Sequence, residues 1–349
     1  MKKKILMRGN EAVGEAAILA GCRYYFGYPI TPQNEIPEYM SLKLPEVGGT
    51  FLQAESEVAA INMVLGASAA GARTMTSTSS PGMALKQEGI SYLSGSRLPC
   101  VVVNMMRGGP GLGNIAGAQS DYNQATRGGG NGDYRAIVLA PENVQELADL
   151  TIKAFDLSDK YRVVAIVLGD GYLAQMSEPL VLPDPVKSIP EKPWALTGAK
   201  GREPKTIASL RLAPENFLEQ HNIDLQKVYS EISKNEILFD SHMTEDADYL
   251  IVAYGTCARI CKQAVKVLRS SGIKAALFRP ITLWPFPSAQ LADIAKKVKK
   301  ILTVEMSMGQ MVDDVRLSVG SDIKVDFYGR TGGMIPEINT IVERIKSYE

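Results

Sequence analysis

The stretch Gln53-Ala-Glu55-Ser-Glu57-Val-Ala-Ala-Ile-Asn-Met-Val-Leu-Gly66-Ala67 decides how the chain reads. After its two carboxylates it is almost wholly apolar. Val58, Ile61, Val64 and Leu65 recur at helical spacing, which predicts a buried helix from Glu55 to Gly71. An ionised carboxylate taken out of water is costly unless it is paired, and the usual escape is a raised pKa or a dedicated hydrogen-bond partner. Acidic residues are favourable in the first turn of a helix, which accounts well for Glu55. It accounts less well for two carboxylates heading one buried run, so Glu57 is the candidate functional group.

Working outward, a short strand at Thr50 to Gln53 precedes this helix, and a strand at Arg73 to Thr76 follows it. Next come a helix at Gly82 to Leu93 and an apolar strand at Cys100 to Met105. Upstream lie a helix at Asn10 to Ala20, stopped by Gly21, and a strand at Tyr24 to Tyr28 broken by Pro29 and Pro32. A further helix covers Asn34 to Leu42. Downstream, a Gly-rich stretch from Gly108 to Gly132 leads to a strand at Ala136 to Leu139, a helix at Asn143 to Leu157 and a strand at Val163 to Leu168. Strands alternating with helices in this way make an α/β fold with a mostly parallel, doubly wound sheet.

Seven of the chain's 19 prolines fall between Pro179 and Pro214, which marks that stretch as a linker, because proline fixes φ and removes a donor. An amphipathic arm follows at Glu215 to Asn235, with Leu218, Leu225, Val228 and Ile232 along one side. The αβ rhythm restarts with strands at Tyr249 to Ala253, Ala275 to Phe278, Ile301 to Val304 and Val325 to Phe327. Helices at Ala258 to Ser270, Ser288 to Lys297, Gln310 to Val319 and Ile335 to Lys346 alternate with them. The expected organisation is a first domain over 1–178, a linker and arm over 179–247, and a second α/β domain over 248–349.

Composition narrows the function. The 38 Lys+Arg balance 38 Asp+Glu, and no basic stripe exists to hold nucleic acid or an anionic membrane. A 45% hydrophobic and 22% charged chain is ordinary for a folded protein, and its longest apolar runs fall far short of the ~20 residues of a membrane helix. The N-terminus lacks a secretory pattern, and four scattered cysteines suit a reducing cytoplasm. Two histidines, His221 and His242, both in a region that reads as linker, leave triads and His-based metal sites without parts.

Three pattern matches are set aside. Gly111-Leu-Gly113-Asn-Ile-Ala116 fits a loose dinucleotide fingerprint but neither closes a strand nor opens an amphipathic helix. Gly169-Asp170-Gly171 resembles the start of a Mg-diphosphate motif, yet no Asn closes it near Pro193 to Gly198, so a turn is expected. Cys257 and Cys261 lie four apart on a predicted helix and read as buried small side chains rather than as a metal pair.

The spacing from Glu57 to Gly66-Ala67 resembles the pyrimidine-binding domain of thiamine-diphosphate enzymes. Gly27-Tyr28-Pro29-Ile30-Thr31-Pro32, the Gln53 to Ala67 segment, Thr78-Ser79-Ser80-Pro81-Gly82 and Arg107-Gly108-Gly109-Pro110-Gly111 follow the order seen in α subunits of 2-oxoacid:ferredoxin oxidoreductases. The run Arg279-Pro280-Ile281-Thr282-Leu283-Trp284-Pro285-Phe286-Pro287 looks like the start of their second, transketolase C-terminal-like domain. Gln53 to Glu57, Gly111-Leu-Gly-Asn and Gly128-Gly-Gly-Asn-Gly-Asp-Tyr134 look most like the branched-chain, 2-oxoisovalerate type.

The resemblance implies oxidative decarboxylation of a branched-chain 2-oxo acid with coenzyme A, yielding acyl-CoA, CO2 and reduced ferredoxin. The alternatives are the same chemistry on 2-oxoglutarate or an aryl 2-oxo acid, and a non-catalytic scaffold subunit. By the resemblance Glu57 hydrogen-bonds N1′ of the cofactor's aminopyrimidine, Tyr28, Pro29, Ile30 and Ser79 join it in binding the cofactor, and Thr31 and Arg107 hold the 2-oxo acid. Thr31 also reads as a helix N-cap before Pro32. The chain itself has neither a Mg-diphosphate motif nor a cysteine cluster. A diphosphate-binding β subunit, a γ subunit and a ferredoxin-like iron–sulfur subunit are the expected partners, with thiamine diphosphate shared at the β interface and no iron–sulfur cluster or metal ligand here.

Overall fold

The computed structural model describes residues 4–321 and 323–349. In chain order the first part contains β1 (Ile5–Arg8), α1 (Gly9–Leu19), β2 (Tyr24–Gly27), α2 (Glu35–Lys43), β3 (Thr50–Gln53), α3 (Glu57–Ala69), β4 (Thr74–Thr78), α4 (Ser80–Gly95) and β5 (Cys100–Met106). It continues with α5 (Tyr122–Thr126), β6 (Ile137–Leu139), α6 (Val144–Tyr161), β7 (Val164–Asp170), α7 (Gly171–Gln175) and β8 (Ser177–Leu180). After a long irregular segment come α8 (Phe217–Asn235), β9 (Phe239–His242), β10 (Tyr249–Val252), α9 (Gly255–Ser270), β11 (Ala275–Pro280) and β12 (Thr282–Trp284). The chain ends with α10 (Ser288–Ala295), β13 (Lys300–Glu305), α11 (Met311–Val319), β14 (Val325–Gly329) and α12 (Ile338–Lys346).

Besides a small antiparallel β1-β8 pair, two sheets organise these elements, with strand orders β12-β6-β7-β5-β4-β2-β3 and β14-β13-β10-β11-β9. Apart from the edge strands β12 and β9, every pairing within them is parallel. All residues of β4, β5 and β7 are buried. Since successive side chains of a strand face opposite ways, helices must cover both faces of the larger sheet. Strong caps start the helices where the sequence offers them: Ala59 N–H donates to Ser56 Oγ at 3.2 Å at the head of α3, and Glu146 N–H to Asn143 Oδ1 at 2.8 Å at the head of α6.

The expected strands and helices form, and their ends shift by a few residues. The short strands β1, β8, β9 and β12 and the short helices α5 and α7 were not expected, because four or five residues carry too little periodicity to read. The run Arg279 to Pro287 does not open the second sheet. It carries the end of β11 and then β12, which crosses over to pair with β6 of the first sheet. His242 lies on β9 and His221 on α8, not in irregular linker.

Contacts between the two sheets' segments are polar as well as apolar. The buried Arg279 guanidinium on β11 grips both carboxylate oxygens of Glu146 on α6, at 2.7 and 2.8 Å. Such a fork over a carboxylate is geometrically demanding, and removing one side strands the other charge. Arg279→Met should lower the unfolding temperature of the assembled enzyme by several degrees, in keeping with a loss of about 3 kcal/mol. Differential scanning calorimetry beside Glu146→Gln checks this, and an unchanged transition would show the fork to be neutral.

Candidate active site

The crossover from β2 leads outward to β3, and that from β4 leads the opposite way to β5. The carboxyl ends of β2 and β4 therefore flank a topological switch point, where open α/β sheets bind ligands. Every residue singled out in the sequence follows such a strand end. Tyr28 to Thr31 follow β2, Glu57 follows β3, Ser79 follows β4, and Arg107 follows β5.

Glu57 is the first residue of α3 and is 5% exposed. Among the described residues, Glu57, Glu142, Asp170, Glu236 and Glu305 are the buried acids. Glu142 pairs with Lys262, and Asp170 accepts the Tyr172 and Leu173 amides. Glu236 accepts from Lys160 and Tyr161, and Glu305 takes three amides of the α11 start and the Ser307 hydroxyl. The Glu57 carboxylate alone accepts no hydrogen bond from a described residue. The residue is 5% exposed while its carboxylate oxygens stay open, so the acceptor stands ready for a ligand donor. The wall around it is close. A Cβ on Gly82 of α4 would overlap both Glu57 Oε1 and Thr78 Oγ1, so only glycine lets α4 pass this near.

Beside it lies Ser79, the N-cap of α4, fully buried with its hydroxyl unpartnered. The next residue, Ser80, donates to Asp121 Oδ2 at 2.6 Å and accepts the Arg107 amide at 3.1 Å. Asn104 Nδ2 reaches the same Asp121 oxygen at 2.9 Å. Burial pushes the Asp121 carboxyl up, against the pull of these two donors. The Arg107 guanidinium is buried; Nη1 donates to Thr31 O at 2.9 Å, Nη2 to Leu112 O at 3.1 Å, and Nε has no partner. Arg107 thus ties the loop after β2 to the Gly-rich loop after β5.

The loop after β2 is fixed from below. Tyr25 Oη pairs with Ser77 Oγ at 2.6 Å, Ser77 donates to Gln33 Oε1, and Gln33 Nε2 donates to Tyr28 O at 3.2 Å. Asn10 and Gln175 both donate to Pro32 O at 2.8 Å. Thr31 does not cap α2; Asn34 holds the N-cap position, and its Nδ2 donates to Thr31 Oγ1 at 3.4 Å. The Gly-rich loop is held by the second sheet's side of the molecule. Asn114 Nδ2 donates to Gly332 O at 2.8 Å, Gln119 Nε2 to Tyr254 O at 2.9 Å, and Gln310 Nε2 to Ser120 O at 2.7 Å.

The structure brings Tyr28, Pro29, Ile30, Thr31, Glu57, Ser79 and Arg107 to one edge of one sheet. Gln33, Ser77, Thr78, Ser80, Gly82, Asn104 and Asp121 were not singled out in the sequence. Thr78, Ser80 and Gly82 lay inside a quoted motif, whereas nothing local marks the others. The matches set aside have structural uses. Asp170 caps α7, and Gly111 to Ala116 form the clamped loop without opening a helix. Cys257 and Cys261 are fully buried on α9, where burial pushes both thiols up. A further expectation is overturned: α3 is not buried all round. Val58 is 41% exposed, and Asn62 and Gly66 share its open face.

The fold and this strand-end site define a class, and the family comparisons agree with it. Residues 15–246 match the family described as pyruvate flavodoxin/ferredoxin oxidoreductase, thiamine diP-bdg, and residues 247–341 match pyruvate:ferredoxin oxidoreductase core domain II. The chain belongs to this family, whose first module is a thiamine-diphosphate-binding domain. It is 48% identical to ketoisovalerate oxidoreductase subunit VorB of Methanothermobacter marburgensis, over 98% of this chain and 97% of that protein. It is 34% identical to 2-oxoglutarate synthase subunit KorA of Methanothermobacter thermautotrophicus, over 99% of each. A solved 2-oxoglutarate:ferredoxin oxidoreductase from Magnetococcus marinus, with 2-oxoglutarate, coenzyme A and succinyl-CoA bound, superposes with a TM-score of 0.88 at 32% identity. That match covers 99% of this chain and 65% of the other. A split-gene transketolase superposes at TM-score 0.61 and 14% identity, a likeness of fold alone.

Proposed function

We propose that this chain is the α subunit of a thiamine-diphosphate-dependent 2-oxoacid:ferredoxin oxidoreductase. The complex oxidatively decarboxylates a branched-chain 2-oxo acid, 2-oxoisovalerate, with coenzyme A to acyl-CoA, CO2 and reduced ferredoxin. The observation that carries the reading is the carboxylate of Glu57, a residue only 5% exposed, without a donor among the described residues at the switch point of the sheet. An aminopyrimidine nitrogen is the kind of group that fits it. Thiamine diphosphate, when bound, supplies a nucleophilic carbon and an electron sink for the decarboxylation.

The chain's own residues do the positioning. Glu57 shares a proton with N1′ of the aminopyrimidine and so sets its tautomer. Tyr28, Pro29 and Ile30, in the loop that the Gln33 bond to Tyr28 O holds, and the unpartnered Ser79 hydroxyl would hold the aminopyrimidine beside Glu57. Arg107 and Thr31 take the 2-oxo acid's carboxylate and carbonyl, with the guanidinium N–H groups that Thr31 O and Leu112 O leave unused, Nε among them, as donors. The diphosphate and its metal belong to a β subunit docked on the open faces of α3 and α4, where Val58, Leu85 and Tyr92 are exposed. A γ subunit and a ferredoxin-like iron–sulfur subunit complete the complex in the cytoplasm. All four cysteines of this chain are buried and apart from any cluster, which supports an electron path on other polypeptides.

The 48% relative favours the branched-chain substrate, and the 2-oxoglutarate relatives keep the dicarboxylate as the second reading. The test is purification of the native complex, with cofactor analysis and rates on both substrates. Co-purification of partner subunits with thiamine diphosphate, and a clear preference for 2-oxoisovalerate, is the expected result. A preference for 2-oxoglutarate overturns the branched-chain assignment, and a chain active alone overturns the multi-subunit reading.

A further inference from the structure

Lys86, in the middle of α4, is fully buried. Lysine is almost never fully buried unless paired, because its ammonium loses its water. Here Nζ reaches Thr76 Oγ1 on β4 at 3.0 Å and the backbone carbonyl of Glu57 at 3.4 Å. Both acceptors are neutral, and together they leave one N–H unbonded and the charge without an ion-pair contact among the described residues. A buried lysine that served packing alone would be outdone by an apolar side chain of similar length. The titratable groups that face it are the Glu57 carboxyl from α3 and the Cys100 thiol from β5. Burial pushes that thiol up to about 12, so it stays neutral and leaves the Glu57 carboxylate as the one opposing charge.

We propose that Lys86 is a positioning residue for Glu57. Its side chain pins the first turn of α3 through the Glu57 carbonyl, and its charge sets the field in which the Glu57 carboxyl exchanges its proton. The inference rests on Glu57 being the carboxyl that serves the cofactor. Burial pulls Lys86 down to about 8, against the opposing pull of the Glu57 carboxylate. Below that pH the ammonium stands as a positive charge facing the Glu57 carboxyl, and above it that charge is lost. Proton sharing with the cofactor then changes on the alkaline side.

The experiment uses the assembled enzyme loaded with thiamine diphosphate, with Lys86→Met, Lys86→Gln and Lys86→Arg. Near-ultraviolet circular dichroism of the bound cofactor, which reports the aminopyrimidine tautomer, is followed against pH beside kcat and KM for 2-oxoisovalerate. The expected result is that the dichroism midpoint moves by about one pH unit in the Met and Gln variants. Their alkaline limb near pH 8 should vanish, and kcat at neutral pH should fall about tenfold with KM unchanged. Arginine, which keeps its proton, should retain the neutral-pH tautomer balance while losing the alkaline limb. A Gln variant with the wild-type dichroism and pH profile overturns the proposal, as does failure of both Met and Gln variants to assemble, which assigns Lys86 to folding. If Glu57→Gln keeps its turnover, the reading of Glu57 falls. If Glu57→Gln is inactive while Lys86→Gln titrates as wild type, only the role of Lys86 falls.

Discussion

Glu57→Gln is expected to cut turnover of the assembled enzyme about 1000-fold or more while leaving assembly intact. The amide has the shape of the carboxyl but cannot share a proton with a ring nitrogen. Folding should not suffer, because no hydrogen bond among the described residues ends on this carboxylate. The start of α3 rests on the Ser56 cap and on buried Ile61 and Val64. The melting temperature should move little, because release of the poorly solvated carboxylate is offset by the loss of the charge that faces buried Lys86. Steady-state rates and a thermal melt on the same preparation check both halves. Near-wild-type turnover would mean that the working carboxyl lies elsewhere, with the exposed Glu55 next in line.

Arg107→Lys should weaken substrate capture by about 100-fold in kcat/KM, carried mainly by KM. One charge-assisted hydrogen bond is worth ~3 kcal/mol at the upper end, and that converts to such a factor. The fork now holds two carbonyls from separate loops, Thr31 O and Leu112 O, with Nε still free. A single ammonium cannot serve both loops and a substrate carboxylate at once. The cofactor's dichroism should stay as in the wild type, which separates this variant from Glu57→Gln. An unchanged KM would remove Arg107 from the substrate site.

Much of the site was legible because it is local. Glu57 stood out as an acid heading an apolar run, and Arg107 as a cation directly after an apolar strand and before a Gly-rich loop. What stayed hidden was pairing across long separations. Tyr25, Ser77 and Gln33 form one buried chain under Tyr28, and Ser80, Asn104 and Asp121 form another beside Arg107. Each of these residues is an ordinary polar side chain in its own segment. Lys86 was invisible for the same reason, since a lysine in a helix reads as solvated until the sheet beneath it is known. The apolar sequence of α3 implied full burial, yet within this chain one of its faces is open. Periodicity records which side chains avoid water but not which polypeptide covers them.

The sequence by itself determined the order of strands and helices, the proline-rich break between two α/β parts, and the candidate carboxylate. Those are set by the local period of hydrophobicity, by turn residues and by the cost of burying a charge, all of which act within a dozen residues. Only the tertiary structure decided that β12 leaves its neighbours to extend the first sheet, and that the loop after β5 is clamped from the other side of the molecule. It alone decided that Glu57, of all the described buried acids, lacks a partner. Hydrogen-bond satisfaction is a property of the assembled three-dimensional surroundings, and no stretch of sequence read alone contains both donor and acceptor.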